Sequence, residues 1–263
     1  MVNKPIVGVA ALIFVLAAGG IYYLRSRNAP LPAAPGAPAS TAPAAGEPAI
    51  GHPLPSAGSG SSAPLPDLAN SDPPLRDALT QLAGADAVKA YLVPEDLIRR
   101  IVVTVDNLPR QKIAVDKRPT NAIGGSFAAN GDELHATLNQ QNFERYKPLV
   151  AVISKLDMQQ LGAVYIHFYP LFQQAYQNLG YPNGYFNDRL VEVIDAMLAT
   201  PEPKGPIQLV RPNVMYTFTD PALEARPAGQ KLLIRMGPEN AQAVKAKLTE
   251  LRAAVTAGSL KHQ

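Results

Sequence analysis

The chain has 263 residues, of which 47% are apolar and 17% charged, so it is long and apolar enough to bury a core. Its 24 Lys and Arg against 21 Asp and Glu leave a net charge of +3, which predicts neither a nucleic-acid coat nor a polybasic membrane patch. With no Cys and four His, the sequence predicts no disulfide, no thiol catalysis and no metal site.

The N-terminal residues 1–27 are predicted to form a transmembrane anchor. The run from Ile6 to Leu24 is uncharged over 19 residues. At about 1.5 Å rise per residue it spans roughly 28 Å, close to the thickness of a bilayer core. A cleaved signal peptide is the alternative, because Ala17-Ala18-Gly19 offers the small residues of a cleavage site. The apolar run is longer than a signal peptide needs, so a retained anchor is favoured.

Residues 28–66 are predicted to form a disordered linker. Ten prolines stand among alanines, glycines and serines, and the segment has little branched apolar surface to bury. From Asn28 to Leu75 there is no Lys or Arg, and a segment of this kind is easily translocated. The charges that flank the anchor are nearly balanced and give no orientation. We therefore expect the following domain outside the cytoplasm, with a cytoplasm-facing domain as the alternative.

Residues 67–258 are predicted to form a single helical domain, mainly α with a minor β part of one or two short β-hairpins. The first helix starts at Ser71-Asp72-Pro73, where a cap side chain precedes a proline, and continues to Gly84. A second helix opens at Pro94-Glu95-Asp96, whose acidic side chains suit the helix dipole. An apolar stripe runs along this helix, and Pro109 ends it.

The rest of the domain combines one irregular region with further helices. Arg110 to Gly131 contains Pro, Gly and an Asn-Gly turn signal, and it is predicted to be a long loop that closes in a small hairpin at most. Ile207–Val210 and Val214–Phe218 flank a short turn and are predicted to pair as an antiparallel hairpin. Apolar periodicity and turn residues predict further helices at Gln140–Leu156, Met158–Leu179, Tyr185–Leu198, Pro227–Arg235 and Pro238–Val255, followed by a disordered tail, 259–263.

Five phrases of the domain occur together in a known bacterial family. They are PLPDLANSD, DLIRRIVVTVDNLPR, NFERYKPLV, YPLFQQAYQNLGYPNGYFNDRLVEVID and QKLLIRMGPENA. In this combination, from about Pro64 to Val255, the chain resembles the family called domain of unknown function 3014. The resemblance implies a membrane-anchored envelope protein whose domain projects beyond the bacterial inner membrane. It carries over no activity, cofactor or catalytic residue.

The candidate binding residues lie around a predicted turn, Tyr181-Pro182-Asn183-Gly184. Ten aromatic residues lie between Phe143 and Phe186, and a tyrosine pairs an apolar ring with a polar tip that suits a sugar ring or a partner's side chain. Some of them share one helical stripe and are predicted to be core, namely Tyr165, Phe168, Phe172 and Tyr176. Tyr181 and Tyr185 flank the turn and are expected to be exposed. The predicted binding residues are Tyr181, Asn183, Tyr185, Asn187, Asp188 and Arg189.

Carboxylates offer an enzymatic alternative. Asp188, Glu192 and Asp195 fall at i, i+4 and i+7 on one helix face, a spacing that suits a bound cation or a general acid and base. A row of this kind more often faces solvent or pairs with arginines. A wall-cleaving hydrolase that uses Glu144, Asp188 or Glu192 is the runner-up function. No P-loop, dinucleotide fingerprint, His-Glu-x-x-His or nucleophile elbow occurs, so no cofactor and no catalytic residue is predicted.

These patterns predict a non-enzymatic, envelope-facing binding or scaffolding domain on a single-pass inner-membrane protein. The predicted partners are the inner membrane, through Ile6 to Leu24, and an envelope protein or cell-wall polymer. No nucleic acid is expected as a partner. The missing catalytic signatures and the long linker favour this function over the hydrolase.

Overall fold

The computed structural model describes residues 49–55, 64–132, 134–212 and 215–256. The predicted anchor, most of the predicted linker and the predicted tail lie outside the described residues. The described chain is mainly helical with a small antiparallel sheet, as the sequence predicts. Its helices are α1 (Asp72–Ala83), α2 (Ala85–Tyr91), α3 (Leu97–Asn107), α4 (Gln141–Ser154), α5 (Met158–Asn178), α6 (Phe186–Leu198), α7 (Pro221–Glu224), α8 (Ala228–Met236) and α9 (Pro238–Val255).

Seven of these helices match predicted ones to within a few residues at each end. Helix α2 has no counterpart in the prediction, because its seven residues are too few to establish a helical period. Gly84 separates it from α1. Gly84 has a positive φ of 79°, which ends α1. The Gly84 N–H donates to the carbonyl oxygen of Thr80 in the last turn of that helix.

The sequence predicts a cap side chain at Ser71-Asp72 for α1, but neither side chain caps that helix, and Asp72 caps α3 instead. Helix α3 begins at Leu97 rather than at Pro94, so Glu95 and Asp96 lie outside its first turn. The Asp72 carboxylate accepts the N–H groups of Asp96 and Leu97 at 2.6 and 2.8 Å. A negative charge therefore does lie at the start of α3, but α1 supplies it.

The helices enclose one hydrophobic core. Helix α9 lies across α4, α5 and α6, and α3 packs on α5 and α6. Gly162 of α5 allows a close approach to α9, because a Cβ atom there would lie 2.7 Å from the Cβ atom of Ala254. Asp157 caps α5 by accepting the N–H groups of Gln159 and Gln160. The aromatic stripe predicted to be core is buried: Tyr165, Phe168, Phe172 and Tyr176.

The hairpin predicted at 207–218 forms, and a second hairpin joins it in a single sheet, but Asn130 and Gly131, predicted to be a turn, lie within a strand of that second hairpin. Its antiparallel strands follow the chain order β1 (Ala129–Gly131), β2 (Ala136–Leu138), β3 (Gln208–Val210) and β4 (Thr217–Phe218). Ala136 of β2 pairs with Leu209 of β3, and this register connects the two hairpins. Residues 213 and 214, between β3 and β4 in sequence, lie outside the described part. A second apolar cluster fixes the sheet to α8 through Ala136, Leu138, Leu209, Phe218 and Ile234.

Within the described ranges, no single helix is long and apolar enough to cross a membrane. Helices α4 and α5 taken together have the length and apolar composition of a membrane span, but their axes bend by 80° at the break between them. The predicted anchor lies outside these ranges.

Candidate functional site

The predicted turn, helix α3 and helices α5 and α6 border a cavity of about 370 Å³. Five of the six predicted binding residues line it: Tyr181, Asn183, Tyr185, Asp188 and Arg189. The other lining residues are Ala49, Asp106, Tyr176, Gly184 and Glu192. The fold therefore brings most of the predicted residues to one place, together with a buried acid from α3.

Asn187, the sixth predicted residue, does not line the cavity. It is 1% exposed and lies on the core side of α6. Its Oδ1 accepts from the Tyr165 hydroxyl at 3.1 Å, and its Nδ2 donates to the carbonyl oxygens of His52 and Val255 at 2.7 and 3.0 Å. The amide therefore links α6 to α5, to the end of α9 and to the segment that contains His52.

The turn that carries Tyr181 is held in place by Gln173 of α5. Its Nε2 donates to the carbonyl oxygen of Gly184 at 2.7 Å, and its Oε1 accepts the N–H of Phe186 at 2.8 Å. The ring of Tyr181 stacks on the ring of Tyr176, with centroids 4.5 Å apart and planes 15° from parallel. Tyr181 and Tyr185 are half-buried, in contrast to the exposure expected from sequence.

Asp106 forms the floor of the site. Its side chain is only 4% exposed and faces two arginines. Oδ2 accepts from Arg110 Nη2 at 2.6 Å, and the Tyr181 hydroxyl donates to the same oxygen at 3.3 Å. Oδ1 lies 3.2 Å from Arg189 Nη2, an ion-pair distance without hydrogen-bond geometry. The same Nη2 donates instead to the main-chain oxygen of Asp106 at 2.8 Å.

Arg189 is the cation at the centre of the site. Its side chain is 18% exposed and pairs through Nη1 with Glu192 Oε2 at 2.8 Å. Burial opposes the charged guanidinium, but the hydrogen bond and the charge of Glu192, with the charge of Asp106, outweigh it and raise the pKa of Arg189 above its ordinary value. The site therefore presents a fixed positive charge between two acids.

The three carboxylates that sequence places in a row on α6 have separate partners. Asp195 forms a two-bond pair with Arg252 of α9 at 2.6 and 2.9 Å. Glu192 pairs with Arg189 of its own helix. Asp188 accepts main-chain N–H groups rather than a cation. In the described part of the chain, no group of three or more His, Asp or Glu side chains is arranged to hold a metal ion.

The partner of Asp188 comes from the predicted linker. Asp188 Oδ2 accepts the N–H of Gly51 at 3.0 Å, and Oδ1 accepts the N–H of His52 at 2.6 Å. Leu54 of the same segment packs against the hydrophobic core. Residues 49–55 thus lie against the domain, whereas the sequence predicts disorder throughout residues 28–66. Residues 28–48 and 56–63 lie outside the described ranges.

Of the three acids of the hydrolase alternative, Glu144 lies away from the other two. Glu144 is on α4, pairs with Lys147 at 2.7 Å and does not line the cavity. Asp188 and Glu192 do line it, but both are engaged as described above. The geometry offers a mixed-charge, tyrosine-rich cavity in which each carboxylate already holds a donor.

A comparison with protein-family models finds a match to a family described as "Protein of unknown function (DUF3014)", over residues 97–252. The match begins at the start of α3, later than the resemblance read from sequence, and it includes every residue that lines the cavity except Ala49. No curated protein and no solved structure matches the chain significantly. Because the matched residues make up more than half of the chain, the protein belongs to the DUF3014 family.

Proposed function

We propose that the chain is a single-pass inner-membrane protein whose helical domain faces the cell envelope and acts as a non-enzymatic binding or scaffolding module. Its partner in this proposal is an envelope protein or a cell-wall polymer, held at the cavity beside Tyr181. One observation supports the proposal above all: five predicted binding residues, from one turn and the helix that follows it, line the same cavity.

The chemistry of the cavity supports binding rather than catalysis. Tyrosine rings offer apolar faces with polar tips, and Arg189, Glu192 and Asn183 offer donors and acceptors for a polar partner. A general acid or base needs a carboxylate that is within reach of a substrate proton. The buried acid, Asp106, is instead held by Arg110, Arg189 and Tyr181.

The envelope location rests on the apolar run Ile6 to Leu24 and on the absence of Lys and Arg from Asn28 to Leu75. A reporter enzyme that is active only outside the inner membrane, joined to the C-terminal end of the full chain, is expected to be active in whole bacterial cells. Activity only of a reporter that requires the cytoplasm would contradict this orientation and favour a cytoplasm-facing interaction domain.

Binding at the cavity is tested by two glutamates with the same exposure. Glu192 and Glu144 are each 62% exposed and each pair with a cation three residues away, but only Glu192 lines the cavity. A photoreactive residue at Asn183, on the cavity wall, is expected to form an adduct with one envelope component in whole cells. Glu192→Gln should lower its yield about fivefold, the effect of losing roughly 1 kcal/mol of polar contact, and Glu144→Gln should not.

Two results would contradict the binding proposal. Equal labelling from Asn183 and from a photoreactive residue at position 144 would mean that the cavity is not the contact site. Release of soluble fragments from purified wall polymer by the full chain, abolished by Glu192→Gln and retained in Glu144→Gln, would favour the hydrolase.

A further inference from the structure

One face of α6 holds a stretch of main chain from far away in sequence. Asp188 accepts the consecutive N–H groups of Gly51 and His52, and Asn187 donates to the carbonyl oxygen of His52 at 2.7 Å. Both bonds to Asp188 are charge-assisted, the stronger class of hydrogen bond. Three bonds to two successive residues fix the position and direction of a peptide backbone. The contact is made to main-chain groups, and a segment of another polypeptide has the same groups.

The side chains of the segment show which sequences fit. A Cβ atom at Gly51 would lie 3.5 Å from Asp188 Cγ, an ordinary contact, so the site does not require glycine there. Pro53 has no N–H to donate and directly follows the two residues that do. Leu54 packs against the core, whereas Ile50 is 50% exposed. Pro53 itself is exposed, so the fitting pattern is two residues other than proline, then one residue of any kind, then an apolar side chain.

The segment also reaches the cavity, because Ala49 is one of the residues that line it.

We propose that this face of α6 is a binding site for an extended peptide, that residues 49–55 occupy it in cis, and that a segment of a partner protein with the same pattern replaces them. The inference rests on the proposed function, because it names the partner of the same region. A competitor in the same chain acts at an effective concentration on the order of millimolar when its linker is short. The partner segment therefore binds only when it is locally abundant or binds through additional contacts.

The test uses the full chain in detergent and a fluorescent peptide with the sequence of Ala49–Pro55. In one variant, the double substitution Gly51→Pro and His52→Pro removes both main-chain donors of the cis segment. We expect this double-proline variant to bind the peptide at least about tenfold more tightly than the wild type, because its cis segment no longer competes for Asp188. Asp188→Asn in the same variant should weaken binding by at least about tenfold, since an amide NH₂ then faces a main-chain donor. Glu144→Gln is the matched control and should have no effect.

A second peptide distinguishes recognition of the main chain from nonspecific binding. It is methylated at the nitrogens of the residues that correspond to Gly51 and His52, so it keeps every side chain but has no donors for Asp188, and it should not bind. Circular dichroism of each variant verifies that the domain is folded.

Equal affinity of the wild type and the double-proline variant, binding of the methylated peptide, or no binding by the folded double-proline variant at millimolar peptide would overturn the inference. Wild-type dimers that separate in the double-proline variant would also overturn it, in favour of a second copy as the occupant. The proposed function is tested separately by the Glu192-dependent adduct at Asn183. Retention of that adduct without peptide binding would leave the cavity as a binding site with a different kind of partner.

Discussion

Asp106→Asn is expected to lower the free energy of unfolding by about 3 kcal/mol. The Asp106 side chain is 4% exposed and compensates Arg189, which is 18% exposed, while also accepting from Arg110. The substitution leaves the largely buried Arg189 with Glu192 as its counter-ion, and the Glu192 side chain is 62% exposed and therefore compensates the charge less well than a buried acid. The free energy of unfolding is measured by denaturant titration of the full chain. Far-UV circular dichroism follows the transition, because the sequence has no Trp.

Asp195→Asn is the matched control. Asp195 also pairs with an arginine, at distances as short as those of Asp106, but its side chain is 47% exposed and that of Arg252 is 37% exposed. Solvent screens an exposed pair of this kind, so its loss should change stability by less than about 1 kcal/mol. If the two substitutions cost the same, Asp106 would not be acting as a buried counter-ion.

Asn187→Ala is expected to lower stability by a similar amount, about 3 kcal/mol, although Asn187 stands in the polar cluster predicted to bind a partner. The substitution removes the acceptor of the Tyr165 hydroxyl and the donor to the carbonyl oxygen of Val255. Burial raises the pKa of Tyr165 well above its ordinary value, so the hydroxyl stays protonated and needs an acceptor. Two buried polar groups would thus be left without a partner.

Asn183→Ala serves as the comparison, because Asn183 is exposed on the cavity wall and its truncation should change stability by less than about 0.5 kcal/mol. Adding Tyr165→Phe to Asn187→Ala should recover part of the loss, since it removes one of the unpaired groups. Strictly additive effects of Asn187→Ala and Tyr165→Phe would show that the bond between them contributes nothing.

The roles of Asn187 and Asp106 have a signal in the sequence that a search for polar clusters overlooks. Leu190, Val191 and Ile194 follow Asn187 at helical offsets of three, four and seven residues, and all three are buried. Asp106 likewise follows Val102 by four residues, on the apolar stripe of α3. A polar residue on a buried stripe has a structural role. Its position in the helical period indicates this role better than the polar residues next to it in sequence do.

Other contacts have no local signal at all. Gly51 and Asp188 are 137 residues apart, and the proline-rich composition around Gly51 predicts an unfolded chain. Gly51 donates to Asp188 because α6 carries an outward-facing carboxylate where the segment passes. The composition of the segment cannot predict a contact with a helix so distant in sequence. The capping of α3 by Asp72 is similar, since it depends on how α1 and α3 lie together. By contrast, the long helices and the hairpin of β3 and β4 follow from periodicity and turn residues, whereas the Asn130-Gly131 turn signal falls within β1.

Amide hydrogen exchange at Gly51 and His52 in the full-length protein shows whether α6 binds peptide main chain. Both N–H groups donate to Asp188, so we expect them to exchange far more slowly than in a free peptide of the same sequence and to lose this protection in Asp188→Asn but not in Glu144→Gln. Exchange at the free-peptide rate in the wild type would contradict the claim.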